Sequence, residues 1–400
     1  MHFAPLLLAV LCVVLPSAAD HDKAAQLGFE LESPSVILTN FDCNEEDTFP
    51  LKGHAIKDHA KDGWQLGVDT TPAQAGMLQL EYDLRVLLAN SKLGDTLEQV
   101  LNDMSDIQDN KIFKVSESKC NPWTKAFGSD DSGRWSFDVQ ATGPMMLEGI
   151  QDVFASTVGS KGGEPLHPLV IKDPEWRGEF RSVTKDWFQA QYFQQLPNGV
   201  QWVTQDVLGF LSAVVSNAKA AQKLEGPAEN QGPKVLVGIM PRTYWTTIYE
   251  QVKDKFPAKL WDIVNHLACY KLNDGGNQVE LDHNYCDGTI KKPQIKGTLA
   301  KQGWVDSLAV ENKQLLVKDW IESMEAGTKP DALTKFDEEN FGGQIGGFKN
   351  RMEYVLDTAR EVPIWEFRAL GWYKQADLRK KLDSIEESFI TLHRKYPEKP

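Results

Sequence analysis

Leu78-Gln79-Leu80-Glu81-Tyr82-Asp83-Leu84 alternates apolar and polar side chains along its whole length. An extended chain sends successive side chains to opposite faces. Leu78, Leu80, Tyr82 and Leu84 therefore share one face of a strand, and Gln79, Glu81 and Asp83 the other. The pattern recurs far away. In Gly28-Phe29-Glu30-Leu31-Glu32 the two carboxylates oppose Phe29 and Leu31, and in Trp365-Glu366-Phe367-Arg368-Ala369 Glu366 and Arg368 oppose Trp365, Phe367 and Ala369. Such strands belong to antiparallel sheets that rest one face on a core. Carboxylates at i and i+2 repel one another. If these three strands are neighbours, their polar face needs a divalent cation or bound protons to offset the charge.

Strand patterns also cover Gln26–Ser33, Trp64–Asp69, Met77–Leu84, Lys234–Met240 and Pro363–Leu370. Helical spacing predicts Thr96–Ile107, Val203–Lys223, Thr243–Phe256, Ala258–Ala268, Asn312–Met324 and Gln375–Lys395. In the last of these, Leu378, Leu382, Ile385, Phe389 and Leu392 form one apolar stripe for packing on a core. The elements do not alternate as βαβα, and no Gly-x-Gly-x-x-Gly joins a strand to a helix, which argues against a Rossmann fold. The expected class is α+β: a curved, mainly antiparallel sheet with helices on one face and an open concave face, in one large domain over 20–400.

Ala4–Leu15 is an apolar run followed by Pro16 and the small residues Ser17, Ala18 and Ala19. It is shorter than the ~20 residues a membrane-spanning helix needs, and it reads as a secretory signal over 1–19. No later run is long enough to span a membrane. The expectation is a secreted, extracellular protein. Four cysteines remain after the signal, Cys43, Cys120, Cys269 and Cys286. They allow three connectivities, of which Cys43–Cys120 with Cys269–Cys286, pairing within halves, is favoured. With 43 basic against 57 acidic residues the net charge is −14, so broad attraction to nucleic acid or anionic membrane is not expected.

Oxygen donors without His or Cys favour Mg²⁺ or Mn²⁺ over Zn²⁺, and Arg368 beside Glu366 suits bidentate contact with a phosphate. The succession GFELES (28–33), WQLGVDTT (64–71), GMLQLEYD (76–83) and IWEFRALG (364–371) resembles the amidoligases, which belong to the glutamate–cysteine-ligase-like carboxylate–amine ligases. The resemblance implies a concave sheet face that binds ATP and Mg²⁺. ATP there converts a substrate carboxylate to an acyl phosphate, and an amine displaces the phosphate to give an amide. It also implies Glu30, Glu32, Glu81 and Glu366 as metal ligands, Arg368 at the transferring phosphoryl group, and Asp69 near the substrate. Partners would be small-molecule or peptide carboxylates and amines. An exported ligase of this kind would be a toxin or effector with a target in a recipient cell. Many members carry a His-containing middle strand, whereas Val235–Met240 reads VLVGIM. The alternative is a non-catalytic extracellular binding protein on the same scaffold.

Met240-Pro241-Arg242-Thr243 leaves a strand for a helix and reads either as an ordinary strand–turn–helix in which Thr243 caps the helix, or as a turn that also brings Arg242 to an anionic ligand. His54 and His59, with Asp58 and Asp62, are read as a surface loop, and Asp282–Asp287 as a loop pinned by a disulfide. Phe341–Phe348 (FGGQIGGF) is read as a flexible loop, since it lacks the Lys-Ser/Thr ending of a phosphate loop.

Overall fold

The computed structural model describes residues 25–48, 51, 53–69, 75–107, 112–127, 136–156, 167–170, 182–189, 191–222, 238–272, 279–283, 286–289, 291–295, 317–328, 352–358, 360–368 and 370–397. The expected signal over 1–19, the glycine-rich 341–348 and the starts of the elements expected from Asn312 and Lys234 lie outside them.

The described strands are β1 (Gln26–Thr39), β2 (Ala55–Lys61), β3 (Trp64–Val68), β4 (Met77–Leu87), β5 (Ile112–Phe113), β6 (Trp123–Phe127), β7 (Ser136–Pro144) and β8 (Ile239–Pro241). Then come β9 (Tyr270–Leu272), β10 (Val279–Leu281), β11 (Cys286–Thr289), β12 (Lys292–Ile295), β13 (Met352–Tyr354), β14 (Glu361–Phe367) and β15 (Trp372–Lys374). The α-helices are α1 (Glu45–Thr48), α2 (Leu93–Asp106), α3 (Leu147–Ala155), α4 (Gln191–Gln194), α5 (Gln205–Gln222), α6 (Trp245–Glu250), α7 (Leu260–Cys269), α8 (Val317–Ala326) and α9 (Leu378–Lys395).

The class is α+β. Eleven strands form one sheet along the path β13-β14-β7-β1-β4-β3-β2, with β15 on β7, β6 on β1, β5 on β6 and β8 on β14, and the sheet does not close into a barrel. The pairings that build it are antiparallel. β1 is the central strand and runs six residues past its predicted end. Its register on β4 shifts between Ser33 and Ile37, the stretch that contains Pro34, and beyond the shift Val36 and Leu38 are buried where β1 meets β6. A bulge lets the strand continue past a proline that cannot donate to the ladder.

Phe29, Leu31, Leu80, Tyr82 and Phe367 are buried on the apolar face, as their alternation requires. Helices α2 and α9 pack on that face. On α2, Leu93, Leu97, Val100 and Met104 are buried, Gln99 accepts a bond from Trp64 Nε1 (3.3 Å) and Asp103 one from the Tyr82 hydroxyl (2.7 Å). On α9 the predicted stripe Leu378, Leu382, Ile385, Phe389 and Leu392 is buried, and Phe389 meets Phe367 edge-on with centroids 5.5 Å apart. The disulfides are Cys43–Cys120 and Cys269–Cys286. They are compatible with an oxidising compartment. Among the described residues no helix is long and apolar enough to cross a membrane.

Two local expectations are corrected. His59 lies in β2, buried, with Nδ1 2.9 Å from Asp103, because α2 packs over that strand. Thr243 does not cap α6. Its hydroxyl accepts the Ile364 N–H (2.9 Å), which ties β8 to β14.

Candidate functional site

The polar face of the sheet collects the residues singled out in the sequence. Across β1–β4, Glu30 pairs with Asp83 and Glu32 with Glu81. On the other side of β1, Glu30 meets Gln140 of β7 and Glu32 meets Asp138. One strand further, Glu366 of β14 pairs with Thr142 of β7. Adjacent strands are about 4.8 Å apart, so carboxylates from β1 and β4 point side by side. One oxygen from each of Glu30, Glu32 and Glu81 lies within 4.8 Å of the others. Asp69, just past β3, is buried, and its N–H bonds the Gln79 carbonyl (3.1 Å), which sets it on the same face.

Burial makes this crowding costly. Burial first, and then Glu366, raises Glu30 from 4.5 to about 7, although Arg242 and Arg368 pull it down. Burial followed by Asp69 takes Glu32 up to about 8. Burial, then Asp83 and Asp69, takes Glu81 up to about 10. Burial also raises Asp83, even though Gln65 donates to its carboxylate (2.9 Å), and takes Asp138 up to about 6. At neutral pH protons on Glu32 and Glu81 therefore offset part of the crowding.

Glu366 is fully buried between two arginines. Arg242 and Arg368 both pair with it, and Arg368 also reaches Glu32 Oε1 at 3.6 Å. Their backbones are fixed as well. The Arg242 N–H donates to the Ile364 carbonyl (2.8 Å) and the Arg368 N–H to the Gly238 carbonyl (2.7 Å). Burial works against the Arg368 charge, yet Glu366, Glu32 and Glu30 outweigh it and hold the guanidinium protonated.

The structure thus gathers Glu30, Glu32, Glu81, Glu366, Arg368, Arg242 and Asp69 on one face, with Glu366 engaged by the arginines and outside the three-carboxylate cluster. It adds Asp83, Asp138, Gln140 and Thr142. Gln140 Nε2 donates to Glu32 Oε1, while the buried Asp138 Oδ1, Gln140 Oε1 and Thr142 Oγ1 have no hydrogen-bond partner among the described residues. The signal for β7 was present in Phe137-Asp138-Val139-Gln140-Ala141-Thr142, which has the same alternation. Oxygen donors with raised pKa values and orphaned acceptors fit a hard divalent cation such as Mg²⁺ or Mn²⁺. No family model, curated protein or solved structure matches the chain.

Proposed function

We propose that this face binds a divalent cation with nucleotide phosphates, and that the chain is an exported, ATP- and Mg²⁺-dependent carboxylate–amine ligase. The observation that carries the reading is the convergence of Glu30, Glu32 and Glu81 beside an Arg242–Glu366–Arg368 cluster, from strands more than 300 residues apart. The motif resemblance to amidoligases supports the choice of ligase among cation-dependent phosphoryl-transfer enzymes.

In this reading Glu30, Glu32 and Glu81 hold the cation, which supplies charge neutralisation for the phosphates. Glu366 anchors the arginines and is not itself a ligand. Two guanidiniums on one carboxylate leave net positive charge, and Arg368 meets the transferring phosphoryl group in a fixed orientation. The γ-phosphoryl passes to a substrate carboxylate with loss of ADP. The amine nitrogen then bonds to the acyl carbon as phosphate leaves, and Asp69, on the same face, takes the proton released by the amine.

Calorimetry with ATP and Mg²⁺ tests the reading. The wild-type protein should bind and melt at a higher temperature, and Glu30→Gln should lose the binding while staying folded. No binding by wild type would leave the non-catalytic reading. Unchanged affinity in Glu30→Gln would remove Glu30 from the site.

A further inference from the structure

Trp372 is 61% exposed, an unusual position for an indole. Its place in the ladder gives that exposure a direction. β15 pairs with β7 so that Trp372 stands opposite Asp138, and Asp138 stands opposite Glu32 across β7–β1. Paired residues project to the same side of a sheet. Trp372, Asp138 and Glu32 therefore form one row on the carboxylate face, the backbones of Trp372 and Glu32 standing two strand spacings, about 10 Å, apart.

The strand that carries it is pinned. Gly371 has φ +117°, a backbone conformation that side chains disfavour, and it turns the chain out of β14 into β15. The turn is held on β7 by the Leu370 N–H to Val139 carbonyl bond (3.1 Å) and the Val139 N–H to Gly371 carbonyl bond (3.3 Å). Tyr373, on the opposite face, packs against the core, donates to the Leu370 carbonyl (3.2 Å) and lies under the Lys381 ammonium. The indole is thus presented from a fixed backbone.

We infer that Trp372 is a stacking platform for the base of a nucleotide whose phosphates lie over the Glu30–Glu32–Glu81 carboxylates. The inference rests on the proposed cation–phosphate reading and adds to it the group that recognises the ring. Two strand spacings match the reach from a base to the outer phosphates of an extended nucleoside triphosphate. Stacking on an exposed indole tolerates different bases, so the platform selects a planar ring over none and discriminates weakly between purines.

The test compares ATP with inorganic tripolyphosphate, both with Mg²⁺, by calorimetry and indole fluorescence on the disulfide-intact protein. Wild type should bind ATP about tenfold more tightly than tripolyphosphate. Trp372→Ala should remove that difference and leave tripolyphosphate affinity alone, while Trp372→Phe should keep most of it. Fluorescence quenching by ATP should shrink in Trp372→Phe and be absent with tripolyphosphate. Equal wild-type affinity for the two probes, or an unaltered ATP preference in Trp372→Ala, would overturn the platform while the cation–phosphate reading stands. Binding of neither probe would overturn both.

Discussion

Glu32 stands directly opposite Glu81 across the β1–β4 ladder. Like charges in that position destabilise a sheet, and here the strain is relieved by protons. Glu30, Glu32 and Glu81 titrate near 7, 8 and 10 in the folded chain against 4.5 for an ordinary glutamate. Above pH 4.5 these three groups therefore hold more protons in the folded state than in the unfolded one, and they cost stability as pH rises. In chelator, the melting temperature should fall between about pH 7 and pH 9, above the range in which His167, His266 and His393, lowered by burial, take up protons on unfolding. Mg²⁺ should restore it more at about pH 8.5 than at about pH 6, because the cation must displace fewer protons there. A pH-independent response to Mg²⁺ would contradict this linkage.

Glu81→Gln separates charge from shape. With Glu81 protonated at neutral pH, glutamine mimics the state already present. In chelator at pH 7 the variant should melt within about 2 °C of wild type, a surface-like effect for a buried position. Its Mn²⁺ affinity should fall at least about tenfold, or ~1.4 kcal/mol. A large loss of stability with Mn²⁺ binding intact would make Glu81 structural.

The disulfides should contribute unequally. Cys43–Cys120 spans 77 residues and Cys269–Cys286 spans 17. Loop-closure entropy assigns them about 4.5 and about 3 kcal/mol. Replacing each pair by alanine and measuring denaturant unfolding should show the longer bridge costing more. Thiol counting on the untreated mature protein should find none reactive.

Gly209 of α5 packs against α3 so closely that a Cβ would overlap the Leu147 carbonyl oxygen. The obstacle is backbone and cannot rotate away. Gly209→Ala should cost about 3 kcal/mol, at the upper end of overpacking, read as a lower denaturation midpoint.

Strand alternation made much of this site legible. Phe29, Leu31, Leu80 and Phe367 had to oppose Glu30, Glu32, Glu81 and Glu366 because the side-chain period is two. Alternation could not say that β1 and β14 would share β7 as a neighbour, since ladder order depends on contacts between distant segments. The Gln26–Ser33 prediction stopped at Pro34 because a bulge is a property of two strands together. His59 looked like loop because its partner Asp103 lies on a helix 44 residues away. Thr243 had the composition of a cap, but the neighbouring strand claimed its hydroxyl.

The order in which the chain is made bears on the Arg242–Glu366–Arg368 cluster. Synthesis proceeds from the N-terminus, so Glu30, Glu32 and Glu81 emerge long before either arginine that pulls Glu30 down. A nascent chain can pair β1 with β4 early, yet β14, which brings Glu366 and Arg368, docks only after residues 361–368 have been made. Until then the acidic rows lack Arg368, and such long-range pairing is slow. A chain that stops before β14 therefore has the carboxylates and Arg242 but neither Glu366 nor Arg368. The face is complete only once β14 has docked on β7.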